Sequence, residues 1–314
     1  MARPYRLQAE NCFYHITSRG DNCKKIFIST YDFEKFLEYL LIAKDKYQFN
    51  LYAYCLMSNH YHLFLEILQP NLSRIMQYVN TSYTTYYNKK RNKTGHLFQG
   101  RFKSLLVDED SYFLKLTRYI HLNPVKAKMV DSPEKYRWSS FKGYTKLGYD
   151  KYIDYPELNR YLNMKPAAYK KFILSSIGKK DTFMDNIYAG SFLGGKKFIL
   201  DKLKDFKPEI ESGDFAHKKI LCYVDFSEII LAIAKVYKTE PDKLFKAVKK
   251  PLLAKKVAVY LLKRHSGLTN KAIGDIFGIS YSAVSKIDKS MQIIIAKEKR
   301  VKKDVDKLIS HFKV

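Results

Sequence analysis

The sequence predicts an α+β fold: an antiparallel sheet with helices in the first half of the chain, then an all-helical unit. Three observations carry this. Four short apolar or aromatic runs lie before residue 110, each bounded by turn-forming residues. Longer segments between and after them place apolar residues at helical spacing. Residues 226–300 are dominated by that helical spacing.

In chain order, residues 11–18 (Asn-Cys-Phe-Tyr-His-Ile-Thr-Ser) read as a first strand, and Arg19-Gly20-Asp21-Asn22 as a turn. Ser29 to Tyr47 carries Phe33, Phe36, Leu37, Leu40 and Leu41 at helical spacing, with Ser29 or Thr30 as the cap. Asn50 to Met57 and His60 to Leu68 are two strands joined by the two-residue turn Ser58-Asn59. A second helix spans about Leu72 to Lys90, and a short strand Ser104 to Val107. A third helix starts near Asp108–Ser111 and is expected to end at Asn123, because Pro124 follows. The first six elements, β-α-β-β-α-β, are those of a ferredoxin-like split βαβ unit with helices on one sheet face. The other face is left for a site.

A length of 314 residues allows two or three domains, and 46% hydrophobic content suffices for their cores. The expected division is 1–150, a helical linker region 151–215 without an assigned role, and a C-terminal unit 216–314. With 57 Lys+Arg against 31 Asp+Glu the formal net charge is +26, which points to a polyanionic partner, above all nucleic acid. The 26 Tyr and 20 Phe suit stacking on unpaired bases, although an AT-rich genome produces the same bias. Cys12, Cys23, Cys55 and Cys222 form no C-x-x-C pair, so neither a disulfide framework nor a zinc ribbon is expected. No signal-peptide core opens the chain and no run of about 18 apolar residues exists, so the expectation is a cytoplasmic, nucleoid-associated protein without a membrane partner.

The chemistry centres on Met57-Ser-Asn-His60-Tyr-His62-Leu-Phe-Leu-Glu66. Strand residues two apart share a face, so His60 and His62 project together and can share one divalent metal. The plain alternative is an ordinary surface histidine pair. On the third helix Tyr119 and Asn123 are four apart and share a face. If that face packs over the free sheet face, a phenol, two imidazoles and an amide oxygen converge. A phenol, with its ordinary pKa of about 10, is a poor nucleophile at neutral pH, and a nearby divalent cation would assist it. Tyr83, Tyr86, Tyr87 and Tyr112 are rivals on spacing alone, and His121 reads as structural or DNA-contacting. Arg101, Lys103, Arg118, Lys126 and Lys128 flank these motifs as candidate DNA-backbone contacts or as a plain solvated basic surface.

Four ordered motifs resemble the single-tyrosine HUH transposases, and most of all their REP-associated branch, relatives of the IS200/IS605-type enzymes. They are Met57-Ser-Asn-His60-Tyr-His62-Leu, Gly95-His-Leu-Phe-Gln-Gly-Arg-Phe-Lys103, Arg118-Tyr119-Ile-His-Leu-Asn123-Pro-Val-Lys-Ala127 and Tyr136-Arg-Trp138-Ser-Ser. The resemblance covers roughly residues 1–150. It implies His60 and His62 as metal ligands, Asn123 as the third ligand and Tyr119 as the nucleophile. It further implies Mg²⁺ or Mn²⁺, a single-stranded and often hairpin-bearing DNA substrate, and a 5′-phosphotyrosine intermediate with a free 3′-OH. Such relatives include both monomers and homodimers.

In the C-terminal unit, Ser266-Gly-Leu-Thr269-Asn-Lys-Ala-Ile-Gly274-Asp-Ile-Phe-Gly278-Ile-Ser-Tyr-Ser-Ala-Val284 reads as a helix-turn-helix, with Thr269 capping the first helix and the second starting near Ser280. A helical hairpin with no DNA role is the alternative. Ser280, Tyr281, Ser282, Ser285 and Lys286 are the candidate duplex-DNA contacts. Residues 226–290 also resemble the C-terminal DNA-binding domain of the replication initiator DnaA, through Ile229–Tyr237 and Asp242–Phe245. Ile279-Ser-Tyr-Ser-Ala-Val284 departs from that family's base-reading stretch, so its sequence specificity does not carry over. The expected function is cleavage and rejoining of single-stranded DNA. The alternatives are a non-catalytic DNA-binding regulator that retains the fold, and a phosphodiesterase that uses water.

Overall fold

The computed structural model describes residues 7–146, 150–179, 187–188, 190–206, 224, 226–245, 252–266, 268 and 270–312. The chain divides into two units. One comprises residues 6–186 and 191–195; the other comprises 1–5, 187–190 and 196–314.

The strands of the first unit form one mixed sheet. These are β1 (Cys12–Arg19), β2 (Phe49–Met57), β3 (His60–Ile67), β4 (Lys103–Val107) and the two-residue β6 (Phe192–Leu193), in the order β2-β3-β1-β4-β6; β5 is Ile187–Tyr188. The first four pair antiparallel, in the arrangement expected of a split βαβ unit. β6 runs parallel to β4, with Leu106 opposite Phe192, and was not anticipated from sequence.

The alternation of each strand decides what each face carries. Tyr61 turns to the face covered by α1 (Thr30–Tyr47) and α2 (Leu72–Lys90), where its ring meets Phe36 at 4.7 Å. Ser29 begins α1 as expected, in a capping box with Asp32. Phe13 and Phe64 turn to the opposite face. There they receive Phe113 of α3 (Glu109–Lys126), with ring centroids 6.5 and 5.0 Å apart. The third helix therefore covers the sheet face that the first two leave open. It is anchored at Phe113 and at His121, whose two ring nitrogens engage the Tyr169 hydroxyl at 2.7 Å and the Ser140 hydroxyl at 2.8 Å. His121 is fully buried and structural.

Helix α3 does not stop at Asn123. It continues through Pro124 to Lys126. Proline removes a single helical hydrogen bond, the one to the Ile120 carbonyl, and so near the C-terminus the loss is small. The last turn closes with the Ala127 N–H donating to the Asn123 carbonyl and the Met129 N–H to that of Pro124. Beyond it lie α4 (Phe141–Thr145), α5 (Tyr155–Leu162) and α6 (Pro166–Leu174). The aromatic faces of α5 and α6 pack against α3, through Tyr161 on Phe113 at 5.2 Å and Phe172 under Arg118.

The second unit contains α7 (Lys196–Asp205), α8 (Phe226–Val236), α9 (Pro241–Phe245), α10 (Leu253–His265), α11 (Asn270–Phe277), α12 (Tyr281–Lys297) and α13 (Lys299–His311). Its core joins Ile229, Ile233, Val257, Leu261, Ile273, Phe277, Val284 and Met291. The turn between α11 and α12 rests on two glycines. Gly278 adopts φ +63°, and a Cβ on Gly274 would lie 2.5 Å from the Ile279 carbonyl oxygen. Lys255, buried at 3% exposure, donates its ammonium to the Phe277 carbonyl at the C-terminal end of α11. Asp288 ties α12 to α10 by accepting from Lys263 at 2.8 Å. Thr269, the expected cap of α11, and Cys222 lie outside the described residues.

No helix among the described residues is long and apolar enough to cross a membrane.

Candidate active site and nucleic-acid interface

The strand register assembles the site. Thr17 lies opposite His62, and Arg19 opposite His60, on the antiparallel pair β1·β3. Lys103 of β4 lies opposite Thr17. One transverse row of the sheet therefore reads Lys103, Thr17, His62, Cys55, and the next begins Arg19, His60, Met57. All these side chains belong to the face that α3 crosses.

His60 and His62 do project together, with ring centroids 5.1 Å apart at 78°. The surroundings of the two rings differ. The Asn59 amide nitrogen donates to the Cys23 carbonyl at 3.4 Å, which turns Asn59 Oδ1 toward His60 Nδ1 at 2.7 Å. An amide oxygen only accepts, so His60 Nδ1 carries the proton and its Nε2 presents a lone pair. His62 is buried, and its Nε2 has no hydrogen-bond partner among the described residues. Its Nδ1 lies 3.0 Å from Nε2 of a third histidine, His15. Burial, then the Arg19 charge, lowers the pKa of His60. Burial, then His15, His60 and Lys126, holds that of His62 well below the ordinary value. Neutral imidazole is the metal-binding form.

Tyr119 reaches this group from α3. Its ring stands edge-on to His62 at 5.7 Å and to His15 at 5.9 Å. The Asn123 amide nitrogen donates to the Tyr119 carbonyl at 2.9 Å, so its Oδ1 is the amide's remaining acceptor, an atom type that hard divalent cations bind. Among the described residues no group of three or more His, Cys, Asp or Glu is arranged to hold a metal. The His60 Nε2, the His62 Nε2 when it carries no proton, and an amide oxygen would fit a divalent cation with positions left for water or a phosphate oxygen. The rival tyrosines are occupied elsewhere: Tyr83 donates to the Ile26 carbonyl, Tyr87 to that of Lys25, Tyr86 to Asp32, and Tyr112 is buried.

A family model described as "Transposase IS200 like" matches residues 8–123. The matched segment runs from just before β1 to Asn123, and so spans His15, His60, His62 and Tyr119. Over residues 8–123 the chain is similar to the IS200-like transposases. A curated relative, the "Putative REP-associated tyrosine transposase" of Haemophilus influenzae, is 28% identical over 108 residues, covering 31% of this chain and 61% of the relative's own length. A solved structure of a REP-associated tyrosine transposase bound to a REP hairpin shares 15% identity, covers 49% of this chain and 91% of that one, and superposes with a TM-score of 0.42.

In the first unit the candidate DNA contacts distribute unevenly. Lys103 stands on the site's own sheet face, and the Lys126 ammonium lies 4.6 Å from the centre of the Tyr119 ring. Arg101, just before β4, and Lys128, just after α3, are exposed. Arg118 turns instead to Phe172, 5.5 Å from its ring, and lines a cavity of about 520 Å³ with Tyr161, Arg160 and Asn163. Sequence reasoning missed His15, Thr17 and Arg19. Their spacing of two on one strand was the available signal.

In the second unit Tyr281 is 69% exposed, and Ser282 and Lys286 are exposed beside it. Three candidates are already engaged there, Ser280 and Ser282 through a contact of their hydroxyls at 2.9 Å. The Ser280 hydroxyl caps α12 by accepting from the Ala283 N–H at 3.2 Å. Ser280 itself is exposed, whereas Ser285 is half-buried and accepts from the Asn270 amide at 3.0 Å, so of these Ser285 departs from the exposed position expected of it.

Proposed function

We propose that this chain is a transposase that cleaves and rejoins single-stranded DNA through a 5′-phosphotyrosine on Tyr119. The observation that carries this is the approach of the Tyr119 ring to 5.7 Å from His62, beside a second imidazole whose Nε2 is presented as a ligand. The match of residues 8–123 to the IS200-like transposase family model supports the same reaction class.

His60, His62 and Asn123 would hold the divalent cation, Mg²⁺ or Mn²⁺. When bound it supplies Lewis acidity toward the scissile phosphate and the developing oxyanion. The chain's own residues do the rest. Tyr119 Oη attacks phosphorus, the bond to the 3′ oxygen breaks, the phenol gives up its proton and the 3′ oxygen takes one up. The product keeps its phosphate ester on Tyr119, so the reverse attack by a 3′-OH rejoins a strand without an external energy source. Lys126 places a positive charge beside the phenolate that forms. Arg19 and Lys103 edge the same sheet face and suit the phosphates on either side. A hairpin-bearing single strand is the substrate implied by the family resemblance.

The second unit is proposed to bind duplex DNA as a helix-turn-helix, through the start of α12. Exposed Tyr281, Ser282 and Lys286 on a helix set by the glycine turn support it.

The test is a denaturing gel of the full chain with end-labelled hairpin DNA from the flanks of its own gene. Protein-linked DNA that forms with Mg²⁺ or Mn²⁺, is lost with chelator and is lost in Tyr119→Phe is the expected result. Cleavage that persists in Tyr119→Phe would assign the attack to water or to another tyrosine. Tight binding without cleavage on every flanking strand would favour a regulator.

A further inference from the structure

His15 is fixed by the fold, and the metal-ligand reading does not use it. It lies on β1, two residues from Thr17 on the same face, 2% exposed. Its ring is nearly parallel to that of His62, at 9°, and its Nε2 meets His62 Nδ1 at 3.0 Å. The two outer nitrogens, His15 Nδ1 and His62 Nε2, are both buried and have no hydrogen-bond partner among the described residues.

Proton counting on this pair leaves two states. Two neutral rings carry two protons over four nitrogens. A nitrogen–nitrogen contact at hydrogen-bond distance holds one proton, since two would clash and none would set lone pair against lone pair. The second proton must sit on the outer nitrogen of the accepting ring. If His15 donates, His62 Nε2 is an N–H and cannot ligate. If His62 donates from Nδ1, His62 Nε2 is bare and His15 Nδ1 carries the proton.

We propose that His15 is a positioning residue: by accepting the His62 Nδ1 proton it orients the His62 ring and holds it in the tautomer whose Nε2 can bind the cation. This rests on the reading of His62 as a ligand. A histidine ligand commonly donates its other N–H to a carboxylate, a carbonyl or water. Here a second imidazole takes that place, and it can switch between acceptor and donor. Occupancy of His62 Nε2 is thereby coupled to a proton on His15 Nδ1.

The test is Mn²⁺ binding by the full chain, followed by the electron paramagnetic resonance of free Mn²⁺. His15→Phe keeps the ring and removes the acceptor, and binding should weaken by roughly ten- to a hundred-fold. His15→Gln keeps an acceptor oxygen and should stay within about threefold of wild type, less than the loss expected when the partner is removed. Nitrogen-15 histidine spectra of the unsubstituted chain with Mg²⁺ give a readout that needs no variant: His62 should carry its proton on Nδ1 and His15 on Nδ1. Wild-type binding by His15→Phe, or an Nε2–H on His62 in the Mg²⁺-loaded chain, would overturn the proposal. His62→Ala separates the two levels. If it binds Mn²⁺ as well as wild type does, the ligand reading itself fails and the role of His15 falls with it.

Discussion

The Tyr119 phenol and the His62 imidazole stand edge to face across the sheet–helix interface, ring centroids 5.7 Å apart at 81°. Neither is placed by the other. His62 is held by the register of β3 on β1. Tyr119 is held by the aromatic packing of Phe113 and by the hydrogen bonds of His121. The site is thus a product of two independently anchored elements, and its parts are separately testable.

The anchoring of α3 through buried neutral histidine gives a pH prediction. Burial pushes the pKa of His121 and that of His15 down to about 3 and lowers that of His62 as well. The unfolded chain takes up these protons below about pH 6.5, whereas the folded chain does not, so stability is full above that pH and falls as the pH drops toward the folded values. Each such histidine should contribute a slope of about 1.4 kcal/mol per pH unit between pH 6 and 4. Urea titrations at pH 7.5, 6 and 5 should show this loss, and His121→Gln should remove one histidine's share. Equal stability at all three values would contradict it.

Cations on the site face should differ from those elsewhere in their salt dependence. Lys103→Ala and Lys126→Ala should each reduce the slope of log affinity against log salt for single-stranded DNA by about 0.7. Fluorescence anisotropy over a salt series measures it. An unchanged slope in both variants would remove them from the DNA path.

Asn123 serves two roles that substitution can separate. Asn123→Ala removes the donor to the Tyr119 carbonyl, which should lower stability by about 1 kcal/mol, and also the amide oxygen. Asn123→Asp restores an oxygen ligand but not the donor. Calorimetric titration with Mn²⁺ should show binding weakened at least tenfold in Asn123→Ala, about the size of losing one supporting interaction at a metal site, and recovered in Asn123→Asp. Equal binding by both and by wild type would exclude Asn123 as a ligand.

In the second unit, Gly274→Ala would press a Cβ against the Ile279 carbonyl oxygen, and the α11–α12 turn must open to admit it. A cost of about 1–3 kcal/mol in unfolding free energy is expected, with duplex-DNA binding weakened together with it. Tyr281→Ala, at an exposed position, should weaken duplex binding while leaving stability within about 0.5 kcal/mol.

Much of this was legible in the sequence because it depended on local periodicity. A spacing of two in a strand put His60 and His62 on one face. A spacing of four in a helix joined Tyr119 to Asn123. The split βαβ order followed from the succession of apolar runs. What was not legible depended on register between distant segments. His15 is one polar residue in an aromatic-rich strand, and only pairing with β3 brings it to His62. β6 is two residues long, Phe192-Leu193, too short for any alternation to show. Pro124 suggested a helix end, yet the helix gave up a single hydrogen bond and continued, which carries Lys126 back over Tyr119. The 151–215 region had no reading because the roles of Tyr161, Tyr169 and Phe172 are to pack on α3, which no local pattern reveals.

The most direct test of the central claim is to locate the covalent bond. Protein-linked DNA formed with Mn²⁺ is digested with nuclease and protease, and the nucleotide-bearing peptide is sequenced by mass spectrometry. Of 26 tyrosines, the account predicts that Tyr119 alone carries the nucleotide, attached through its 5′ phosphate. A nucleotide on any other residue, or attached through a 3′ phosphate, would contradict it.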